Sequence, residues 1–190
     1  MKTLFFDTET TGLYDWKKDF NHADQPDLLQ LGCILEDDNR KEMARVKLLI
    51  RPKGNVVLSD GAFAAHGISL LQCEAYGVER VSALQVFGEL VCAADLLVAH
   101  NIKFDESIME TNFHRELVVY PGLQKNKVCT MLASQRVCRL PSTRGGFKWP
   151  RLEEAYFYFF NEEMEGAHDA LVDVEACRRI YHHMKDAGHV

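Results

Sequence analysis

Asp7 and Glu9 follow an apolar run, and this arrangement constrains the fold more than any other feature of the sequence. Residues 4–6 (Leu-Phe-Phe) have the apolar character of a buried strand. Side chains two residues apart lie on the same face of a strand, so both carboxylates should point the same way. Like charges this close repel and lose hydration, and a cation between them removes the conflict. Oxygen ligands suit Mg²⁺ or Mn²⁺; the alternative is a strand that ends in a solvated acidic turn.

The composition is that of an ordinary soluble protein with a single domain over residues 1–190. Hydrophobic residues make up 47% of the 190 residues, enough for one sizeable core. No apolar run approaches the ~20 residues of a membrane span, and the N-terminus has no signal-peptide pattern. The six cysteines are scattered and form no Cys-x-x-Cys motif, which is typical of reduced core thiols. We therefore expect a cytoplasmic protein that does not bind membranes.

The hydrophobic pattern predicts strands first and then helices interleaved with strands. Polar residues 14–27 indicate a loop, and residues 59–77 indicate short helical turns at most. The predicted strands span 2–6, 28–35, 44–50, 96–99 and 128–131. The predicted helices are one capped by Ser82, those over 104–117 and 132–139, one opened by Pro150, and one over 169–186. This order favours one α/β domain with a mixed sheet flanked by helices.

Three further residues are expected near Asp7 and Glu9. Asp105 follows the strand 96–99, and ligands gather at such carboxyl ends of strands in α/β sheets. Asp173 lies in the first turns of the last helix, five residues after His168. Five residues correspond to about 140° around a helix, so the two side chains cannot share one helix face, and His168 is placed in the loop or at the helix cap. A lone Asp at a helix start is often a cap and a lone His is often structural. In combination, four converging carboxylates predict two divalent cations.

Three segments resemble the ordered motifs of the DEDDh class of 3′→5′ exonucleases, which includes the proofreading epsilon subunit of bacterial DNA polymerase III, RNase T and oligoribonuclease. They are Asp-Thr-Glu-Thr-Thr-Gly-Leu at 7–13, His-Asn-Ile-Lys-Phe-Asp at 100–105 and His-Asp-Ala-Leu-Val-Asp at 168–173. A fourth segment, Ala-His-Gly-Ile-Ser at 65–69, resembles one that contacts the terminal nucleotide. The resemblance implies an RNase H-like fold: a five-stranded mixed sheet, flanked by helices, whose second strand is antiparallel to the rest.

The resemblance also implies a role for individual residues. Two divalent cations, Mg²⁺ or Mn²⁺, would be held by Asp7, Glu9, Asp105 and Asp173, and His168 would act as the general base. These five residues form the expected catalytic set. The expected contacts to the terminal sugar and base come from Thr10, Leu13, His66 and Asn101. Phe104 would touch the base edge or pack in the core, and we favour the core.

The implied activity is release of 5′-mononucleotides from nucleic-acid 3′ ends, with single-stranded DNA favoured. The alternatives are an exoribonuclease that trims RNA 3′ ends and a catalytically silent domain that binds nucleic acid or a partner. Proofreading relatives continue into a tail that tethers them to a polymerase, whereas only four residues follow the last predicted helix here. We therefore expect a stand-alone exonuclease, or one recruited through a domain surface, and the sequence leaves its oligomeric state open.

Residues 117–152 contain no Asp or Glu although the chain carries a net charge of −6. The segment holds Lys125, Lys127, Arg136, Arg139, Arg144, Lys148 and Arg151. A solvated basic face is the usual fate of such a run. However, Phe147 and Trp149 lie among the cations, a mixture that also suits stacking and phosphate contact with a nucleic-acid strand.

Overall fold

Six strands form one twisted sheet in a computed structural model that describes residues 1–190. The strands are β1 (Thr3–Thr10), β2 (Leu28–Glu36), β3 (Glu42–Arg51), β4 (Val78–Glu79), β5 (Leu96–Ala99) and β6 (Asn126–Cys129). Their spatial order is β4-β3-β2-β1-β5-β6. Strand β2 runs antiparallel to β1 and β3, and the remaining pairs are parallel. The predicted RNase H-like sheet is therefore confirmed, with the two-residue β4 as an additional sixth strand at its edge.

Seven helices flank the sheet. They are α1 (Asp60–His66), α2 (Leu70–Tyr76), α3 (Arg80–Ala93), α4 (Ile102–Arg115), α5 (Thr130–Cys138), α6 (Leu152–Phe160) and α7 (Ala170–Asp186). None of them is both long and apolar enough to cross a membrane.

The alternation of side chains along β1 divides the core between the two faces of the sheet. Leu4 and Phe6 pack with residues of α3 and α4 on one face. Phe5 packs with Val174 and Tyr181 of α7 on the other face. Because Asp7 and Glu9 continue the odd-numbered series, their side chains belong to the α7 face. The core packing therefore directs the first two carboxylates towards the helix that carries Asp173.

Several predicted element boundaries were wrong. Residues 59–77 form two complete helices rather than short turns, because the Ser59 and Ser69 side chains each cap one by accepting a backbone N–H. Ser82 lies inside α3, which begins at Arg80, and does not cap it. Helix α6 begins two residues after Pro150. Among the cysteines, Cys92 is exposed rather than buried, and all six are free thiols.

Candidate active site

Asp7 and Glu9 lie within β1, which continues to Thr10. Both side chains are partly buried. Burial raises the pKa of Asp7 well above its ordinary value, and Asp105, Asp173 and Glu9 raise it further. Burial also raises the pKa of Glu9 to about 8, with Asp173 and Asp105 contributing through repulsion. Both carboxylates are thus placed where their ionised forms need a compensating charge.

Asp105 is buried in the first turn of α4, with only 2% of its surface exposed. Its Oδ1 accepts hydrogen bonds from the backbone N–H of Thr8, at 3.1 Å, and from Thr8 Oγ1, at 2.8 Å. Burial raises its pKa to about 7, although the two bonds from Thr8 act in the opposite direction. Thr8 therefore links β1 to α4 and fixes the orientation of this carboxylate beside Asp7. Sequence reasoning missed Thr8, because a threonine in a strand carries no signal of its own.

Asp173 reaches the site because α7 approaches the sheet unusually closely at Gly32. Gly32 is the β2 partner of Asp7, and a Cβ on Gly32 would lie 2.5 Å from the carbonyl carbon and oxygen of Ala170. The Gln30 side chain accepts the Ala170 N–H at 2.8 Å and anchors the helix start. Burial is the main reason why the pKa of Asp173 rises to about 7. A glycine on the neighbouring strand thus allows the fourth carboxylate to join the other three.

His168 lies in the turn before α7, as the helical geometry predicted. Its backbone is left-handed, with φ of 67°, and its N–H donates to Asp173 Oδ1 at 3.2 Å. This bond holds the main chain while the imidazole remains exposed at the cleft. One ligand atom from each of His168, Glu9 and Asp173 lies within 4.8 Å of the others. The imidazole is therefore near enough to act as a base or as a metal ligand.

The carboxylates fit a divalent cation by charge and by donor type. None of the four forms an ion pair with Lys, Arg or His, although the chain contains many such pairs elsewhere. Their repulsion is therefore not compensated by the protein. Carboxylate oxygens suit Mg²⁺ or Mn²⁺, and a nearby imidazole also suits transition metals such as Mn²⁺ or Zn²⁺.

All five predicted catalytic residues line one open cleft of about 490 Å³. The structure adds Arg151, Glu153 and Met164 to its lining, none of which was predicted as a site residue. Glu153 also raises the pKa of Asp173 by repulsion. No spacing in the sequence marks Glu153, because α6 reaches the cleft only through its packing against α7.

The five predicted substrate-binding residues divide into two groups. Leu13, Asn101 and Phe104 line the cleft, and Phe104 also packs against the core. Thr10 and His66 do not line it: His66 Nε2 lies 3.0 Å from the Thr10 carbonyl oxygen, and its Nδ1 accepts the Ile68 N–H at 2.9 Å. The roles of all five in nucleotide binding stay predictions.

His100 attaches the chain before α6 to the end of β5. Its Nδ1 lies 3.0 Å from Thr130 Oγ1 and its Nε2 lies 3.0 Å from the Pro150 carbonyl oxygen. Burial lowers the pKa of His100 to about 4, so the ring is neutral at neutral pH. Because Arg151 and Glu153 follow Pro150, His100 also sets the position of this wall of the cleft.

The acid-free segment 117–152 is partly neutralised by other parts of the chain. Lys127 pairs with Glu106 at 2.9 Å, and Lys148 and Arg151 both pair with Glu154. The cations that form no ion pair are Lys125, Arg136, Arg139 and Arg144, of which Lys125 and Arg139 donate to backbone carbonyl oxygens. Phe147 and Trp149 remain half or more exposed beside them.

The chain was compared with protein families, curated proteins and solved structures. A family model described as "RNase_T: Exonuclease" matches residues 4–181. No curated protein matches. Escherichia coli exonuclease I in complex with a dT13 oligonucleotide is 20% identical, with a TM-score of 0.79 over 97% of this chain and 41% of that one. The zinc-bound E. coli ExoI–ssDNA complex is 19% identical, with a TM-score of 0.79 over 97% of this chain and 40% of that one. At this identity the structures show a shared fold, and the chain spans about two fifths of their length.

Proposed function

Because this chain belongs to the RNase_T exonuclease family, we propose that it hydrolyses nucleic acids from their 3′ ends and releases 5′-mononucleotides, with single-stranded DNA preferred. The observation that carries this proposal is the convergence of Asp7, Glu9, Asp105 and Asp173 without a cationic partner. A catalytically silent domain would have no need to retain four carboxylates whose ionisation opposes burial.

The carboxylates would hold two divalent cations, Mg²⁺ or Mn²⁺. When bound, these ions supply charge stabilisation to the scissile phosphate and lower the pKa of the attacking water. The Thr8 bonds keep Asp105 oriented towards the site, and the His168 N–H keeps Asp173 oriented. The exposed imidazole of His168 would accept one proton of the attacking water as the water oxygen bonds to phosphorus. The bond between phosphorus and the 3′-oxygen breaks, and the 3′-oxygen takes up a proton from solvent.

Two observations support a single-stranded substrate. Solved structures with this fold include E. coli exonuclease I in complex with a dT13 oligonucleotide, with a dA16 oligonucleotide and with ssDNA. In this chain, Phe147 and Trp149 are exposed beside cations, the combination that binds unpaired bases and their phosphates. Segment 117–152 would then guide the strand towards Arg151 at the cleft.

The activity is tested by incubating 5′-labelled DNA and RNA oligomers, single- and double-stranded, with the purified protein. Stepwise shortening is expected with Mg²⁺ or Mn²⁺, none with EDTA or Ca²⁺, and single-stranded DNA should be degraded fastest. Asp7→Asn is the matched control, because it removes one charge and keeps the side-chain shape. Undiminished activity in excess chelator would exclude the metal-dependent mechanism, and a faster rate on RNA would exclude the DNA preference.

The role of segment 117–152 is tested with a charge reversal at Arg136 and Arg144. The double change to Glu should raise KM on long oligomers and reduce its salt dependence, because fewer counterions are released on binding. The control is the double variant Lys41→Glu with Lys185→Glu. It also reverses two positive charges, at the end of the sheet away from the cleft, and should leave KM unchanged. Equal effects of the two double variants would refute a guiding role.

A further inference from the structure

The loop over residues 14–27 has a defined shape although it contains no helix or strand. At its centre, Gln25 is buried with 2% of its surface exposed. Its Oε1 accepts the Asp15 N–H at 3.1 Å, and its Nε2 donates to the Asp15 carbonyl oxygen at 2.9 Å. A buried amide is costly unless its hydrogen bonds are made, so these bonds favour one conformation of the loop.

Helix α4 anchors the same loop from outside. Thr111 Oγ1 donates to the Phe20 carbonyl oxygen at 2.9 Å. Arg115 donates to the Gln25 carbonyl oxygen at 2.6 Å and to the Asp27 carboxylate at 2.6 Å. The loop is therefore ordered before any ligand binds, which lowers the entropic cost of binding.

The anchored loop presents an aromatic surface to solvent. The Trp16 side chain is 53% exposed, and its ring centroid lies 4.7 Å from that of the buried Tyr14. Lys103 Nζ lies 4.6 Å from the centre of the Trp16 ring. Tyr14 supports the indole, and Lys103 brings a positive charge over it.

This surface adjoins the catalytic cleft. Leu13, which lines the cleft, directly precedes Tyr14. Lys103 stands in α4 between Asn101 and Phe104, and both of these also line the cleft. An oligonucleotide held by the carboxylates would extend past the Trp16 ring on this side.

We propose that Trp16 and Lys103 form a nucleotide-binding subsite, in which the indole stacks on an unpaired base next to the terminal nucleotide and Lys103 binds its phosphate. When the strand binds, the Lys103 ammonium leaves the face of the indole and forms a charge-assisted contact with the phosphate. The base then stacks on the face of the indole that the ammonium has left. Indole stacking requires an unpaired base, so the subsite selects single-stranded ends of two or more nucleotides. This inference rests on the proposed exonuclease function.

The test compares two substrates in one set of variants. A p-nitrophenyl ester of thymidine 5′-monophosphate carries the terminal nucleotide and no second base, whereas a dT10 oligomer also places a base at the subsite. For Trp16→Ala, the ratio of oligomer to ester kcat/KM should fall about 5- to 150-fold, the value of one base–aromatic stack. Trp16→Phe should restore most of the ratio. Tyr76→Ala removes an exposed aromatic ring that does not line the cleft and should leave the ratio unchanged.

Binding is followed independently by tryptophan fluorescence with dT10 in Ca²⁺. The chain has two tryptophans, Trp16 and Trp149. Trp149→Phe leaves Trp16 as the single tryptophan, and dT10 should still quench its fluorescence. In Trp16→Phe, where only Trp149 of segment 117–152 remains, quenching should be weaker than in wild type. An unchanged ratio in Trp16→Ala, or no quenching in Trp149→Phe, would overturn the subsite while the wild-type activity stands. Failure of the wild-type protein on both substrates would instead refute the proposed function.

Discussion

The metal-free protein should lose stability as the pH rises from 5 to 8. Asp173 is the group from which the effect can be worked out, because it is buried with 8% of its surface exposed. Its pKa rises from the ordinary 3.8 to about 7 in the folded protein. A raised pKa contributes stability below the unfolded pKa, and this contribution is lost as the pH rises through the folded pKa.

The size of this loss in the free energy of unfolding follows from the proton that the folded state retains. Between pH 5 and 7 the folded Asp173 holds a proton that the unfolded chain has released. At 1.36 kcal/mol per pH unit, the loss over these two units is about 3 kcal/mol. His100 acts in the opposite direction below its ordinary pKa of 6.5, because its pKa in the folded protein is lowered to about 4. A matched variant is therefore needed to isolate the contribution of Asp173.

Asp173→Asn provides that comparison, because an asparagine oxygen can still accept the His168 N–H. The free energy of unfolding is measured by urea titration in EDTA at constant ionic strength from pH 5 to 8. The variant should gain about 3 kcal/mol relative to wild type across this range. Mg²⁺ or Mn²⁺ should stabilise wild type at pH 8 and reverse the order of the two proteins.

The control is Asp38→Asn, an exposed carboxylate in the turn between β2 and β3, which should follow the wild-type curve. Parallel pH curves for wild type and Asp173→Asn would refute the reasoning, because they would mean that Asp173 ionises equally easily in both states.

Three other substitutions test separate parts of the structure. His168→Ala should lower kcat by about 10²- to 10⁴-fold and displace the acidic limb of the kcat–pH profile, because the proposed general base is lost. Gly32→Ala should cost about 1–3 kcal/mol in urea unfolding and also lower kcat, because the new methyl group forces the start of α7, and Asp173 with it, away from the sheet. Arg80→Leu should cost about 3–5 kcal/mol in the same unfolding assay, because the buried guanidinium pairs with Asp27 and Glu116 at 2.7 Å.

Each of these substitutions has a control within the chain. For His168→Ala, the control is His22→Ala, which alters an exposed imidazole in the loop 14–27 and should leave the acidic limb of the kcat–pH profile unchanged. Gly61→Ala has no atom within 4 Å of the new Cβ and should be tolerated. Arg45→Leu breaks only exposed ion pairs and should cost less than about 1 kcal/mol. Near-equal results for a substitution and its control would contradict the explanation given for that position.

Local pattern was sufficient for much of the sheet. The strands predicted at 28–35, 44–50 and 96–99 match β2, β3 and β5 to within two residues, because apolar runs bounded by polar turns are typical of buried strands. The resemblance of the three ordered motifs to the exonuclease class also predicted the topology of the sheet, including its antiparallel second strand.

The part of the site that could be predicted is the part in which the periodicity of a strand or helix fixes where an acidic or imidazole side chain points. Alternation alone placed Asp7 and Glu9 on one face, and helical geometry excluded His168 from the face that carries Asp173. These conclusions need only neighbours in the chain, which is why the sequence by itself could supply them.

The remaining features depend on contacts between residues far apart in the chain, and only the tertiary structure decided them. Thr8 donates a hydrogen bond to Asp105, 97 positions away in the chain, and Gly32 of the sheet contacts the backbone of Ala170 in α7. Glu153 enters the cleft only because α6 packs on α7. The periodicity of the sequence does not predict these contacts, because each of them follows from how the helices and strands pack once the core has formed. The sequence determined which carboxylates exist and on which elements they lie, whereas packing determined how closely they approach and how strongly their charges are opposed.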